Sequence, residues 1–429
     1  MTAARDNSGD APRERSRFPD GRLLLLAAGG ALLLLRLAAL VGSVSDQMPL
    51  TGDEPIYDGV AHNLLAGLGY TYRGQPWIFK PPGWLITLAG IYAVFGEGRR
   101  IVTLFQGLFD AGTIALSAWV AWRVFRSRTT AVTAFLLVAL WPPLFRESRF
   151  EQTEPLYTFG LALLLAAFVR FGQRPTSRAA FVMGICAGLA SLVRPTGIVP
   201  SFALAAGWLL LGRSSARPHA RKLLAAALGL VLVVAPWTLR NAAVFHAFVP
   251  LSSGTGELFY MGTAPETDGM WMPDPMRRLT AAVVEREAQR LGRPPGPLEA
   301  DRALLRAGLE NWRSAPVRSL TISLKRIWRL CFVSVNRPDR AWLRWGFLAV
   351  LIALYALALP AGIAGMRERG RGWPLAGALL IAVLSTAAAS TVLFTTSRFF
   401  EPLRPLLLIL AADPLGRLLT RRPGTPGAG

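Results

Sequence analysis

The sequence predicts an all-α polytopic membrane protein: a bundle of about ten transmembrane helices with interfacial helices and a small helical extracytoplasmic region. Three observations predict it. Of 429 residues, 52% are apolar and only 17% charged, a balance too apolar for a water-soluble domain. The apolar residues are gathered into runs of membrane-crossing length, and arginine is concentrated in alternate connections between them. A formal charge of +21 would direct a soluble chain toward nucleic acid. In a chain whose solvent is the bilayer, the same charge reads as arginine at the membrane surface, and no nucleic-acid partner is expected.

The elements follow in order. Arg13, Arg15, Arg17 and Arg22 precede a leucine-rich run over 23–44 that lacks a small-residue cleavage site, so it reads as a retained first span behind a disordered cytoplasmic tail, 1–22. Further runs at 100–122, 129–146, 153–172, 179–194, 196–212, 221–239, 343–363, 373–395 and 403–418 complete the set, and 419–429 is a second cytoplasmic tail. The stretch from Pro82 to Phe95 is short and begins at Pro81-Pro82, which suits an interfacial or re-entrant helix. Charge settles this choice. With that stretch not crossing and both termini inside, the clusters Arg123-Arg126-Arg128, Arg170-Arg174-Arg178, Arg213-Arg217-Arg221-Lys222 and Arg367-Arg369-Arg371 all face the cytoplasm. An added crossing would invert every one of them.

Two hydrophilic segments then face outward: a loop over 45–99 inside an N-terminal transmembrane module, 23–240, and a long region over 241–342 ahead of the C-terminal helices, 343–418. The long region carries helical patterns around Met276–Leu291 and Leu298–Leu330, separated by Arg293-Pro294-Pro295-Gly296-Pro297. Its end, with Arg313, Arg318, Lys325, Arg326, Trp328 and Arg329, suits a helix on anionic lipid. Only three of the positive residues are lysines, and Ala and Gly abound, as in a GC-rich bacterial genome. The expected location is a bacterial plasma membrane. Cys186 and Cys331 are too few for a disulfide framework or a four-ligand zinc site.

Chemistry gathers in short polar motifs at the ends of the runs. The first outside loop contains Thr51-Gly52-Asp53-Glu54-Pro55-Ile56-Tyr57 and Phe79-Lys80-Pro81-Pro82-Gly83-Trp84. By itself Gly-Asp-Glu-Pro is a good helix N-cap, and a lone lysine among aromatics snorkels to headgroups. The order of motifs raises their standing: Thr153-Glu154-Pro155-Leu156 opens the fourth run, Arg194-Pro195-Thr196-Gly197 follows the fifth, and Pro236-Trp237-Thr238-Leu239-Arg240-Asn241 ends the seventh. Arg398-Phe399-Phe400-Glu401-Pro402-Leu403-Arg404-Pro405 precedes the last. Arg194, Arg240 and Arg398 thus share the outer side with Asp53, while Arg36, inside the first run, is expected to pair with another helix.

In these motifs and their order the chain resembles the GT-C superfamily of membrane glycosyltransferases, in the branch of the dolichyl-phosphate-mannose protein mannosyltransferases and the bacterial aminoarabinose transferases. Many relatives have Arg-Tyr where this chain has Arg398-Phe399. The resemblance implies an inverting transfer of a sugar from a polyprenyl-phosphate carrier to a hydroxyl of a glycan, lipid or protein acceptor in the cell envelope, on the outer face of the bilayer. Such a displacement needs a base for the acceptor's proton and positive charge for the departing phosphate. The resemblance makes Asp53 the base and Lys80 a contact of the carrier phosphate, with Glu154 a second carboxylate of the site. Glu54, adjacent to Asp53, positions it or holds a divalent cation, although neighbouring side chains of an extended segment point opposite ways. Arg194, Arg240, Arg398, His62 and Tyr57 complete the candidate binding set. His62 pairs with Asp58 at helical spacing, which is not a metal site, and metal dependence is left open. The competing function is a transporter or flippase of a lipid-linked or anionic substrate. Transporter sites lie near the bilayer midplane in repeated halves, and the acids here sit at the ends of the runs with no evident repeat.

Overall fold

The computed structural model describes residues 21–211, 216–266, 273–332, 341–367, 373–392 and 397–420; both tails lie almost wholly outside these. Leucine and alanine without a polar face give α1, Gly21–Gly42. The loop over 45–99 folds into α2, Glu54–Leu65, the hairpin β1–β2 (Thr71–Tyr72 and Gln75–Pro76) and α3, Pro82–Phe95. Arg73 and Gly74, with φ of 52° and 72°, turn the hairpin, and Thr71 pairs with Pro76. Next come α4, Arg99–Phe125, α5, Arg128–Ala139, and α6, Pro142–Glu147. The run over 129–146 is therefore not one helix. Pro142 and Pro143 interrupt it because proline lacks an N–H and clashes with the preceding turn.

The bundle continues with α7, Glu154–Gln173, α8, Ser177–Val193, α9, Ile198–Leu211, and α10, Ala216–Phe245. Small residues let α8 and α10 approach closely, since a Cβ added at Gly188 would sit 2.8 Å from the Val233 side chain. The long region after α10 forms α11, Thr255–Thr263, α12, Pro273–Leu291, α13, Pro297–Ser314, and α14, Pro316–Phe332, with a small core of Tyr260, Ala264, Val283, Ala303 and Leu304. The pattern over Leu298–Leu330 is broken at Pro316 into two helices. The chain ends with α15, Ala341–Arg367, α16, Trp373–Val392, and α17, Arg404–Thr420.

Among the described residues five helices are long and apolar enough to cross a membrane: Leu24–Gly42, Arg99–Phe125, Glu154–Gln173, Ala220–Phe245 and Trp345–Ala364. Of the other expected spans, α5, α8 and α9 are shorter apolar helices, α16 runs 20 residues from Trp373 to Val392, and the 17-residue α17 carries Asp413 and Pro414. The centre of the bundle is α17, whose residues from Leu406 to Ala412 are at most 2% exposed, packed among α4, α5, α15 and α16. Arg36 does pair with another helix. Its guanidinium lies 3.2 Å from Asp110 on α4 and donates to the Ala139 carbonyl at 2.8 Å, so it also satisfies the open end of α5. Ser148 donates to the same Asp110 at 2.8 Å, which ties the loop after α6 to this pair.

Candidate active site

Asp53 precedes the first residue of α2, yet its side chain makes no capping bond to its own helix. Instead, three groups meet its Oδ2 atom. Lys80 Nζ lies 3.5 Å away, Arg398 Nη2 lies 3.6 Å away, and the Tyr57 hydroxyl, one turn along α2, donates across 3.4 Å. Chain segments far apart in sequence thus converge on one oxygen. Lys80 is brought there by the loop between the hairpin and α3, whose carbonyls at Lys80 and Pro81 accept from the Tyr70 hydroxyl at 2.9 and 3.2 Å. Arg398 is brought by the turn ahead of the buried α17.

A second carboxylate holds the arginines. Glu154, 2% exposed at the start of α7, accepts from Arg194 at 2.7 Å and from Arg398 Nε. Gln152 Oε1 accepts from Arg398 Nη2 at 2.7 Å, which fixes the guanidinium plane. Arg194 stacks on the Phe399 ring with its Cζ 4.5 Å from the centroid. Phe399 therefore serves through its ring face, and that contact needs no hydroxyl. Three cations, Lys80, Arg194 and Arg398, thus gather around the carboxylates of Asp53 and Glu154.

Burial pushes the Asp53 carboxyl up, but Lys80 and then Arg398 outweigh it and hold the group below its ordinary 3.8. Burial, then the Asp53 charge, raises the Tyr57 hydroxyl, so it stays a donor throughout the physiological range. Arg398 is raised: burial opposes the charge, but Glu154 and the other anions beside it prevail.

Three expected site residues stand elsewhere. Glu54 is fully buried and accepts from Arg99 Nη1 at 2.9 Å and Nη2 at 3.3 Å, from the Glu151 amide at 2.7 Å and from the Thr51 amide at 2.6 Å. Both its oxygens are committed, so it joins α2, α4 and the loop before α7 and anchors the start of the helix that Asp53 precedes. Arg240 donates to the carbonyls of Trp77 and Tyr70, each at 2.9 Å, which makes it a brace for the Lys80 loop. His62 sits 3.0 Å from Glu97 and 3.5 Å from Asp58 on the far part of α2, away from the Asp53 cluster. Its hydrogen bond to the Asp58 carbonyl is the main reason its pKa is raised. Among the described residues no group of three or more His, Cys, Asp and Glu side chains comes together as a metal site.

Two further residues lie beside the cluster. Gln152 was signalled by the polar run Glu151-Gln152-Thr153-Glu154 between apolar stretches. Glu257 on α11 had no sequence signal. The Ser253 amide donates to the Ile78 carbonyl at 3.1 Å, docking α11 beside the Lys80 loop. Burial raises the Glu257 carboxyl, and Lys80 is the main opposing charge.

This geometry bears on what the chain is similar to. Residues 79–239 match the dolichyl-phosphate-mannose-protein mannosyltransferase family. The mannosyltransferase-like segment contains Lys80, Gln152, Glu154 and Arg194, while Asp53 and Arg398 join it from outside through the fold. An uncharacterized protein of Aquifex aeolicus (strain VF5) is 27% identical over 165 residues, 37% of this chain. That match spans 33% of the relative's length. Among solved structures, the chain is similar to ArnT from Cupriavidus metallidurans bound to undecaprenyl phosphate, with a TM-score of 0.44 and 16% identity over 92% of this chain and 78% of that one. It is also similar to the arabinosyltransferase EmbB from Mycobacterium smegmatis, with a TM-score of 0.37 and 13% identity over 89% of this chain and 42% of that one.

Proposed function

We propose that the chain is an inverting glycosyltransferase that moves a sugar from a polyprenyl-phosphate carrier to a hydroxyl acceptor on the outer face of the membrane. The observation that carries this reading is the convergence of Lys80 and Arg398 on one oxygen of Asp53, in a chain whose 79–239 segment matches a family of sugar transferases.

In this reading the acceptor hydroxyl gives its proton to Asp53 as its oxygen attacks the anomeric carbon. The bond from that carbon to the phosphate oxygen breaks, and its electron pair leaves with the polyprenyl phosphate. Lys80 and Arg398, with Arg194 held beside them through Glu154, neutralise the departing charge. The contacts of Lys80 and Arg398 with Asp53 are long ones, which a phosphate can replace. An open apolar groove of about 370 Å³ along α15, lined by Ile352, Tyr355, Ala356, Leu359 and Pro360 with Phe332 of α14 at its edge, suits part of a prenyl chain. The acceptor is a hydroxyl of the cell envelope, and Asp53 meets it from the outside.

The test is product analysis. Purified protein in lipid is given a panel of polyprenyl-phosphate sugars with envelope extract, free polyprenyl phosphate is measured by mass spectrometry, and the new glycosidic linkage is assigned by NMR. Release from one donor with an inverted linkage is expected. Donors that bind without release, or a product of retained configuration, contradict the reading.

A further inference from the structure

Helix α14 carries three separate faces. Ser319, Ile322, Ser323, Arg326 and Leu330 are buried, and the helix packs on α13, α15, α16 and the Ser397–Phe399 turn. On another side Val317, Leu320, Leu324 and Trp328 recur every three or four residues and are 78%, 57%, 58% and 55% exposed. This is a continuous apolar stripe. Between stripe and buried face, helical geometry sets a third band with Arg318, Lys325 and Arg329. No acidic residue occurs between Glu310 and Asp339.

An apolar stripe of this length facing water is a liability, and its basic border is the pattern of a helix seated at the boundary of headgroups and acyl chains. A crossing helix would be apolar all round; α14 carries four basic residues in 17. The next helix opens with Trp342 and Trp345, 65% and 70% exposed, rings that favour the same depth.

We propose that α14 docks its stripe flat into the headgroup region of the bilayer and takes anionic phospholipid as its partner. The docking bears on the site. Arg318 donates to the Ala264 carbonyl at 3.2 Å and to that of Pro265, and Arg326 donates to that of Gly262, so α14 holds the end of α11. Its packed face rests on the turn that carries Arg398. The lipid surface thereby supports both flanks of the Asp53 cluster, whatever reaction the cluster performs.

The test uses the wild-type chain in nanodiscs of phosphatidylcholine with or without phosphatidylglycerol. Each disc contains a photoactivatable lipid with its diazirine either near the headgroup or at the acyl end, and crosslinked peptides are mapped by mass spectrometry. The peptide covering 317–328 is expected to be labelled by the shallow probe only, several-fold more with phosphatidylglycerol, while peptides from Trp345–Ala364 take the deep probe. The double variant Lys325→Gln with Arg329→Gln should lose the phosphatidylglycerol effect and keep the labelling depth. Deep labelling equal to that of the spans overturns the proposal, as does crosslinking of α14 to a second copy with no lipid adduct. Equal shallow labelling of the wild type in both lipid mixtures overturns the anionic partner.

Discussion

Replacing Asp53 by Asn keeps the shape of the side chain and removes its capacity to take a proton. Turnover should fall by about 10²–10⁴-fold with folding unchanged, read as release of polyprenyl phosphate alongside circular dichroism. Its neighbour responds in the opposite way. Glu54→Gln leaves Arg99 buried without its counter-charge, and breaking a buried pair from one side costs ~3–5 kcal/mol, to be measured as lost unfolding stability in detergent. The pH dependence follows from the same contacts. The base works ionised, and Lys80 and Arg398 hold Asp53 below 3.8, so the acid limb of kcat/KM should lie below the ordinary aspartate range. Lys80→Met should raise that limb as well as weaken donor binding. Glu151 behaves conversely: burial, with Glu54 and Asp58 adding to it, lifts its pKa to about 7 against Arg99. A carboxyl raised by folding favours the native state while protonated, and that stability is lost as pH rises toward 7. Glu151→Gln should therefore raise the melting temperature at pH 8 and change it little near pH 4. At this scale the sequence suggested an extended segment in which Asp53 and Glu54 point apart; the backbone at Asp53 is helical instead, and the two carboxylates have different partners, Lys80 and Arg398 for one and Arg99 for the other. It gave no sign that Arg240 would spend its donors on backbone carbonyls, because such partners depend on how a loop closes and leave no mark on residue type.

Among the elements, α3 sets the position of Lys80. It begins right after Lys80-Pro81, and at Gly83 it touches α8 so closely that an added Cβ would lie 2.7 Å from the Leu192 carbonyl oxygen. Gly83→Ala must push the two helices apart, for about 1–3 kcal/mol of stability, and should raise the KM for donor more than a matched substitution at Gly90, where a Cβ meets nothing within 4 Å. Helix existence was legible from apolar runs, including the short Pro82–Phe95 helix. Helix length was less so. The break at Pro142 falls where an apolar run continues, and that at Pro316 where an amphipathic helical pattern continues, but the backbone cannot. The long region's helices were visible as patterns, but the docking of α11 against the Lys80 loop rests on a backbone hydrogen bond between segments distant in sequence, Ser253 to Ile78.

At the scale of the whole molecule, the fold joins an N-terminal half that supplies Asp53, Lys80, Gln152, Glu154 and Arg194 to a C-terminal helix that delivers Arg398. Burial of α17 at the centre of the bundle explains how a residue so distant in sequence meets the others; order along the chain suggested the set, and only packing fixes the distances. The arginine distribution adds an expectation about orientation. In intact cells a membrane-impermeant maleimide should label Glu285→Cys on α12 and should reach Arg174→Cys, in the α7–α8 connection, only after permeabilisation. The reverse pattern would move the site to the cytoplasmic face. The most direct test of the central claim compares release of free polyprenyl phosphate by wild type and Asp53→Asn, each first shown to bind the same donor. Asp53 as the base predicts release by the wild type and a loss of about 10²–10⁴-fold in the variant. Equal rates from the two proteins at equal donor occupancy would contradict it.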